Sequence, residues 1–128
     1  LTADSAQATG VKWAALAYTP SFTSAEQTVT VSSALDVAHG LGSVPSLVRL
    51  VLRCKTIEGN YAVGDEVVIE ATLAETNSAG TGVSVAVNAT NVTILTGATN
   101  VQIKDKVTPS TSVAITSANW RYVVRAWL

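Results

Sequence analysis

At 128 residues the chain has the size of one ordinary domain, and 48% hydrophobic against 13% charged residues gives it ample material for one core, the usual charged share being about 25%. A net charge of −1 and the absence of any Lys or Arg run exclude the electrostatic footprint of a nucleic-acid binder. One cysteine, Cys54, and one histidine, His39, exclude an intrachain disulfide and any site needing two histidines.

So few charges leave a monomer with large apolar patches, and such patches mark places where another chain packs, so a tight oligomer is expected. No stretch approaches the roughly 20 apolar residues that a membrane-spanning helix needs. The chain begins at Leu1 and holds no Met, which reads as a piece of a longer polypeptide.

Residues 1–25 carry Thr, Ala, Ser and Gly with scattered Val11, Trp13, Leu16, Tyr18 and Phe22, in neither a helical nor a strand period. They are predicted to form an extended arm or linker, and residues 26–128 the folded domain. From Gln27 onward, short runs of Val, Ile, Thr and Leu alternate with Gly, Asn, Ser and Pro at roughly ten-residue spacing, the pattern of a β-sandwich or barrel. An all-β, antiparallel, jelly-roll-like sandwich is the expected fold.

The first strand is predicted over Gln27–Ser32, with Val29 and Val31 on one face, then a short piece around Leu35 and Val37. Gly40-Leu41-Gly42-Ser43-Val44-Pro45 makes a loop. In Ser46–Lys55, period-two alternation sets Val48, Leu50, Leu52 and Cys54 against Arg49, Val51, Arg53 and Lys55. Glu66–Leu73 repeats it, with Val67, Ile69, Ala71 and Leu73 opposed to Glu66, Val68, Glu70 and Thr72. One antiparallel register pairs Arg53 with Glu66, Arg49 with Glu70, Leu52 with Val67 and Leu50 with Ile69, so charge and burial agree on it. Exposed ion pairs contribute only about 0.2 to 1 kcal/mol each, so burial sets the register.

After a Gly- and Ser-rich loop at 76–82, three strands around Val83–Val87, Val92–Ile94 and Val101–Ile103 are predicted as a meander turning at Asn88–Asn91 and Gly97. A loop over Asp105–Ser112 follows. The last strands are Val113–Thr116 and Asn119–Leu128, the latter alternating Trp120, Tyr122, Val124, Ala126 and Leu128 against Arg121, Val123, Arg125 and Trp127. No window has the 3.6-residue period of an amphipathic helix, so any helix is short.

Catalytic machinery is hard to assemble from these residues, and no enzyme is expected. A nucleophile–His–acid set has only His39 to use, for which a structural role is the better reading. Asp65 and Glu66 point to opposite faces of a strand, which favours turn capping and ion pairing over acid–base work. Glu58, Asn60, Asp65 and Glu66 are the one concentration of oxygen donors, too sparse to predict a metal, and no cofactor is implied. Gly40-Leu41-Gly42 lacks the third glycine and the helix of a phosphate loop. Asn88-Ala89-Thr90 and Asn91-Val92-Thr93 read as hairpin turns. Trp13, Trp120 and Trp127 are interface candidates. Tyr61, with Asn60, follows Glu58-Gly59 at a hairpin tip and is the candidate ligand contact.

The run from Leu1 to Trp13, small residues ending in Gly-x-x-Trp, resembles a recurring stretch of bacteriophage fibre and tail proteins. Ala38-His39-Gly40-Leu41-Gly42-Ser43-Val44-Pro45, Val48–Lys55 and Tyr61-Ala62-Val63-Gly64-Asp65-Glu66-Val67 together resemble a C-terminal domain of phage tail fibres. The resemblance spans more than half the chain, and carries no catalytic residue with it. It implies a homotrimeric, β-rich virion component at the tip of a tail fibre or tailspike, joined to other tail proteins and contacting a host-surface polysaccharide. A head-fibre or decoration protein, a purely structural cap, and a cellular lectin module are the alternatives.

Overall fold

A computed structural model describes residues 2–3, 11–12, 21–69, 72–73, 80, 82–99 and 101–128. The chain is all-β and every strand pairing is antiparallel. In chain order the strands are β1 (Thr2–Ala3), β2 (Val11–Lys12), β3 (Ser21–Thr23), β4 (Gln27–Thr28), β5 (Ser33–Ala38), β6 (Leu47–Cys54), β7 (Glu66–Ile69), β8 (Thr72–Leu73), β9 (Gly82–Val87), β10 (Asn91–Thr96), β11 (Gln102–Lys104), β12 (Ser112–Ala114) and β13 (Trp120–Trp127). Among the described residues the one helical piece is a 3-10 turn over Ser117–Asn119.

The larger sheet is built on β6 and β13, which pair along their full length from Leu47↔Trp127 to Cys54↔Trp120. β7 adds to the free side of β6, and β3 and β4 both add to the far side of β13. Between β3 and β4 the ladder is interrupted, and Ser24 repairs it: its amide donates to the Val124 carbonyl and its hydroxyl accepts from the Val124 amide. The second sheet has the order β5-β10-β9-β8. β11 and β12 form a separate ribbon, as do β1 and β2.

The two large sheets and the β11–β12 region share one core. Leu50, Leu52, Cys54, Trp120, Tyr122 and Val124 from the first sheet meet Val37, Val83, Val92 and Ile94 from the second, with Val101, Ile103 and Ile115 closing one end. One polar link crosses this core, between the Thr96 and Tyr122 hydroxyls at 3.0 Å, so both are buried without an unsatisfied oxygen.

The alternation of Leu47–Cys54 places Leu50, Leu52 and Cys54 inward, and the register Arg53↔Glu66, Leu52↔Val67, Leu50↔Ile69 is the observed one. The partner proposed for Arg49, Glu70, lies outside the described residues, as does Trp13. Val51 departs from the expected polar face: it is buried opposite Val123. Arg125, two residues beyond Val123, reaches across β6 to Glu66 on β7, a diagonal that passes the Val51 position in the register.

Several expectations are corrected. The arm cannot run to residue 25, because Ser21–Thr23 is already a sheet strand bonded to Arg125–Trp127. The strand expected over Gln27–Ser32 is only Gln27–Thr28, and the chain then leaves β13 with Val29 buried in the core. Glu66–Leu73 is divided: β7 belongs to the β6 sheet and β8 pairs instead with Gly82 and Val83 of β9. The three-strand meander is absent, since β10 is flanked by β9 and β5, while β11 pairs with β12. Trp120 is no interface residue, because it is 0% exposed at the centre of the core, where its ring area is buried within the chain itself. Trp127 remains half-buried on the outer face of the larger sheet.

Truncating the inner face of β6 tests this arrangement. Leu52→Ala is expected to lower the unfolding free energy by about 2 to 5 kcal/mol in a denaturant titration. Val68→Ala, at a position 50% exposed, is expected to cost under about 0.5 kcal/mol.

Candidate functional site

The segment from Glu58 to Asp65 consists of two consecutive tight turns. Gly59 and Asn60 have φ of 58° and 62°, and the Tyr61 amide donates to the Glu58 carbonyl at 3.1 Å, which is the type I′ geometry that joins antiparallel strands without splaying them. A second feature favours glycine at 59: a Cβ there would stand 3.1 Å from Cγ2 of Val113, so that side chain would have to give by a few tenths of an ångström. Next, Gly64 at φ 92° closes a turn in which the Asp65 amide donates to the Ala62 carbonyl at 3.0 Å. The Asp65 carboxylate in return accepts from the Ala62 amide.

This double turn is fastened to the loop between β11 and β12. Asn60 donates from Nδ2 to both carboxylate oxygens of Asp105 at 2.9 Å. Asp105 also accepts from the Val107 and Thr108 amides, as an Asx turn does. Lys106 pairs with Asp65 and lies 5.8 Å from the Tyr61 ring centre. Those hydrogen bonds hold the Asp105 and Asp65 carboxyls below their usual range, from the Thr108 amide foremost for Asp105 and from Lys106 for Asp65.

Tyr61, expected to be exposed at a hairpin tip, is instead half-buried. Its hydroxyl donates to the Lys104 carbonyl at 2.9 Å and its ring packs edge-on against Trp120 at 5.5 Å between centroids. The type I′ turn folds the tip back over the core, so the Tyr61 hydroxyl and one side of its ring are engaged by Lys104 and Trp120. Asn60 stays exposed, but both of its short-range polar contacts are to Asp105.

Glu58 is the residue on which this region converges. Its carboxylate accepts from the Thr116 amide at 3.0 Å, from the Thr116 hydroxyl at 2.7 Å and from the buried Trp120 indole nitrogen at 2.6 Å. Burial opposes its charge, yet the Thr116 and Trp120 hydrogen bonds together outweigh that cost and leave its carboxyl below the ordinary value. In the sequence Glu58 stands out only as one oxygen donor among several. The signals that point to its role are a tryptophan in a buried alternation, whose indole must find an acceptor, and an acid directly ahead of a positive-φ pair.

The outer face of the larger sheet carries most of the positive charge. Arg53 lies opposite Arg121 and Arg49 opposite Arg125, an arrangement that repels unless acids intervene. Glu66 accepts from Arg53 at 2.6 Å and from Arg125 at 2.9 Å, and Glu26 pairs with Arg53 and Lys55 at 3.1 Å. The Arg53 guanidinium is the main reason that the Glu66 carboxyl is held low. Arg121 donates to the Ala118 and Trp120 carbonyls. Arg49 makes no ion pair among the described residues.

Both remaining candidates for chemistry are committed to structure. His39 is buried, with Nδ1 accepting from the Leu41 amide and Nε2 3.0 Å from the Asn88 carbonyl oxygen, so neither ring nitrogen is left to serve a nucleophile. Cys54 is 0% exposed, its thiol lies 3.0 Å from the Thr56 carbonyl, and burial pushes its pKa up. No three of His, Cys, Asp and Glu cluster as metal ligands among the described residues. Asn88 and Asn91 bound a hairpin turn in which the Asn88 side chain accepts from the Thr90 and Asn91 amides.

No protein-family model matches the chain, and a comparison with curated proteins returns no match.

Glu58→Gln replaces an acceptor by a donor that faces the Trp120 and Thr116 hydrogens, and is expected to cost about 1 to 3 kcal/mol at pH 7 by denaturant unfolding. A carboxyl whose folded pKa is depressed contributes stability above its unfolded value, here near 4.5, and loses it as pH falls through the folded pKa. Wild-type stability should therefore decline below about pH 4.5, and Glu58→Gln should flatten that decline without abolishing it, because Glu66 contributes with the same sign. The Cys54 thiol should resist a thiol-specific reagent in the native state and react at the rate of unfolding once denaturant is added.

Proposed function

We propose that this chain is the tip domain of a bacteriophage tail fibre or tailspike, a virion component that assembles as a homotrimer and contacts a host-surface glycan. The observation that carries the reading is the resemblance of residues 38–45, 48–55 and 61–67 to a phage tail-fibre C-terminal domain. Those segments supply the central strand β6, the loop leading into it and the double turn after it, which together define the architecture of the larger sheet.

The surface is in keeping with assembly. Val44, Leu47, Ile57, Val63, Val68, Val87, Leu95 and Val107 are all large apolar residues left exposed by the single chain, in a sequence with few charges to dilute them. In this reading the two large sheets stack as a sandwich, three copies surround an axis, and the loops at one end are presented three times over, so that weak contacts with a repeating polysaccharide add by multivalency.

A specific observation favours a second reading, a structural cap that trimerises without touching a receptor. Tyr61 and Asn60, the side chains best placed at the tip, spend their polar groups on Lys104 and Asp105 rather than on solvent. In that reading recognition belongs to another part of the virion.

Light scattering coupled to size exclusion, followed by binding to host polysaccharides and intact host cells, separates the possibilities. A mass of three chains that persists on dilution together with glycan binding is the expected result. Trimer without binding to any host surface selects the structural cap, and a monomer at all concentrations overturns the assembly.

A further inference from the structure

Three carboxylates fasten the double turn at 58–65 to segments far from it in the chain. Glu58 holds the Thr116 amide and hydroxyl and the Trp120 indole, Asp65 pairs with Lys106, and Asp105 receives the side-chain amide of Asn60. Little apolar burial supports these contacts. Ile57, Val63 and Val107, in and beside the two loops, are 71%, 63% and 72% exposed, and Tyr61 is the large side chain of the turn that packs inward, edge-on to Trp120. The base of the turn is anchored separately: the Gly64 amide donates to the Cys54 carbonyl and the Cys54 amide to the Asp65 carbonyl, both at 2.9 Å. The β6–β13 pair differs in kind, because it is held by the burial of Leu52, Trp120, Tyr122 and Val124, which does not titrate.

The other charged and titratable groups near the turn have partners of their own. Lys106 sits on Asp65 and beside the Tyr61 ring, the Lys104 ammonium bonds the Ser112 hydroxyl, Lys55 pairs with Glu26, and Arg121 donates to the Ala118 and Trp120 carbonyls. The Cys54 thiol, within electrostatic reach of Glu58 and Asp65, is buried and neutral in acid. Glu26 and Glu66 are spent on Arg53, Lys55 and Arg125, and Asp36 on Thr93. Burial opposes the charge of Glu58, and the Thr116 and Trp120 hydrogen bonds outweigh it; Lys106 foremost holds the Asp65 carboxyl low, and the Thr108 amide that of Asp105. Each of the three therefore stabilises the closed turn above its unfolded value, 4.5 for Glu58 and 3.8 for the aspartates, and withdraws that support as pH falls through its folded pKa.

We propose that the double turn is an acid-released clasp, which swings away from β13 and the β11–β12 loop about its Cys54–Asp65 base while both sheets stay folded. Opening bares the Tyr61 ring and the part of Trp120 against which it packs, an aromatic surface covered at neutral pH. All three carboxylates act on the same movement, so their protonations add, and each proton taken up on opening multiplies the opening constant about tenfold per pH unit. Local openings of this kind fall below the global unfolding free energy where apolar contacts are few. The device is independent of the trimer and receptor readings.

Native-state amide hydrogen exchange of the full chain, followed residue by residue between pH 5 and pH 3 and corrected for the intrinsic rate, tests it. The reporters are the Lys106 amide, bonded to the Gly59 carbonyl, and the Thr116 amide, bonded to the Glu58 carboxylate. Both should show one shared opening constant that rises at least about tenfold over that range, while amides of the β6–β13 ladder open at least about a hundredfold less often. Glu58→Gln, Asp65→Asn and Asp105→Asn should each raise the opening constant at pH 7 and make its rise in acid shallower. The two aspartate variants change exposed groups, so they carry the test even where Glu58→Gln unfolds the chain. An opening constant that is flat with pH overturns the clasp, as does exchange of the Lys106 and Thr116 amides in step with the β6–β13 ladder at every pH. Aspartate variants that keep the wild-type steepness assign the opening to other groups and overturn it too.

Discussion

Everything else in the molecule depends on the in-register pairing of β6 with β13. Over eight residues it stacks Cys54 on Trp120, Leu52 on Tyr122, Leu50 on Val124 and Val48 on Ala126, all on one face. Strand side chains alternate strictly, so a slip of one residue would drive Arg49 and Arg53, or Arg121 and Arg125, into the core. Desolvating even one unpaired guanidinium costs several kcal/mol, far more than any rearrangement of apolar packing would return. The two strands therefore admit one register, and β3, β4 and β7 inherit their positions from it.

That choice has an electrostatic cost on the opposite face, where arginines end up side by side. Glu66 and Glu26 offset it, each bridging two cations. The pairs are exposed and individually worth little. Their larger effect is geometric, because the Arg125–Glu66 pair runs diagonally past Val51, which is buried beside Val123 on that face. At the end of the same two strands, Glu58 satisfies the Trp120 indole and gathers Thr116 to it, so the double turn at 58–65 and the 3-10 turn at 117–119 are held against the core by one carboxylate. Loops fixed in this way present a rigid outline.

Much of this was legible in the residue pattern. Alternation in 46–55 and 119–128 identified the two central strands and their inward faces, and the agreement of Arg53–Glu66 with Leu52–Val67 identified the neighbour of β6. What alternation cannot specify is the partner of a strand when the chain between leaves the sheet. Val101–Ile103 reads as the natural continuation of a meander, yet Val101 and Ile103 bury themselves by pairing β11 with β12 across the Asp105 loop. Thr72–Leu73 likewise continues the period of β7 while belonging to another sheet. The exposure expected of Tyr61 differs for a related reason: a tip looks exposed in sequence, and whether it folds back depends on Asp105 and Lys104, more than 40 residues away. Glu58 was visible as an acid, but its partner Trp120 is 62 residues distant.

The placement of β13 also governs the order of events during synthesis. It is the middle strand of the larger sheet and follows every strand that it joins, so β3, β4 and β6 leave the ribosome before the element that holds them together exists. Ser24 must wait for Val124, a separation of 100 residues. Pairings of that span are slow to form, and strands held unpaired in the meantime invite association with other chains. A nascent chain of this protein can assemble the β9–β10 hairpin locally, but it remains an incomplete sheet with open edges until residues 120–127 emerge. Its vulnerability to misassembly is therefore concentrated in the interval before β13 is delivered.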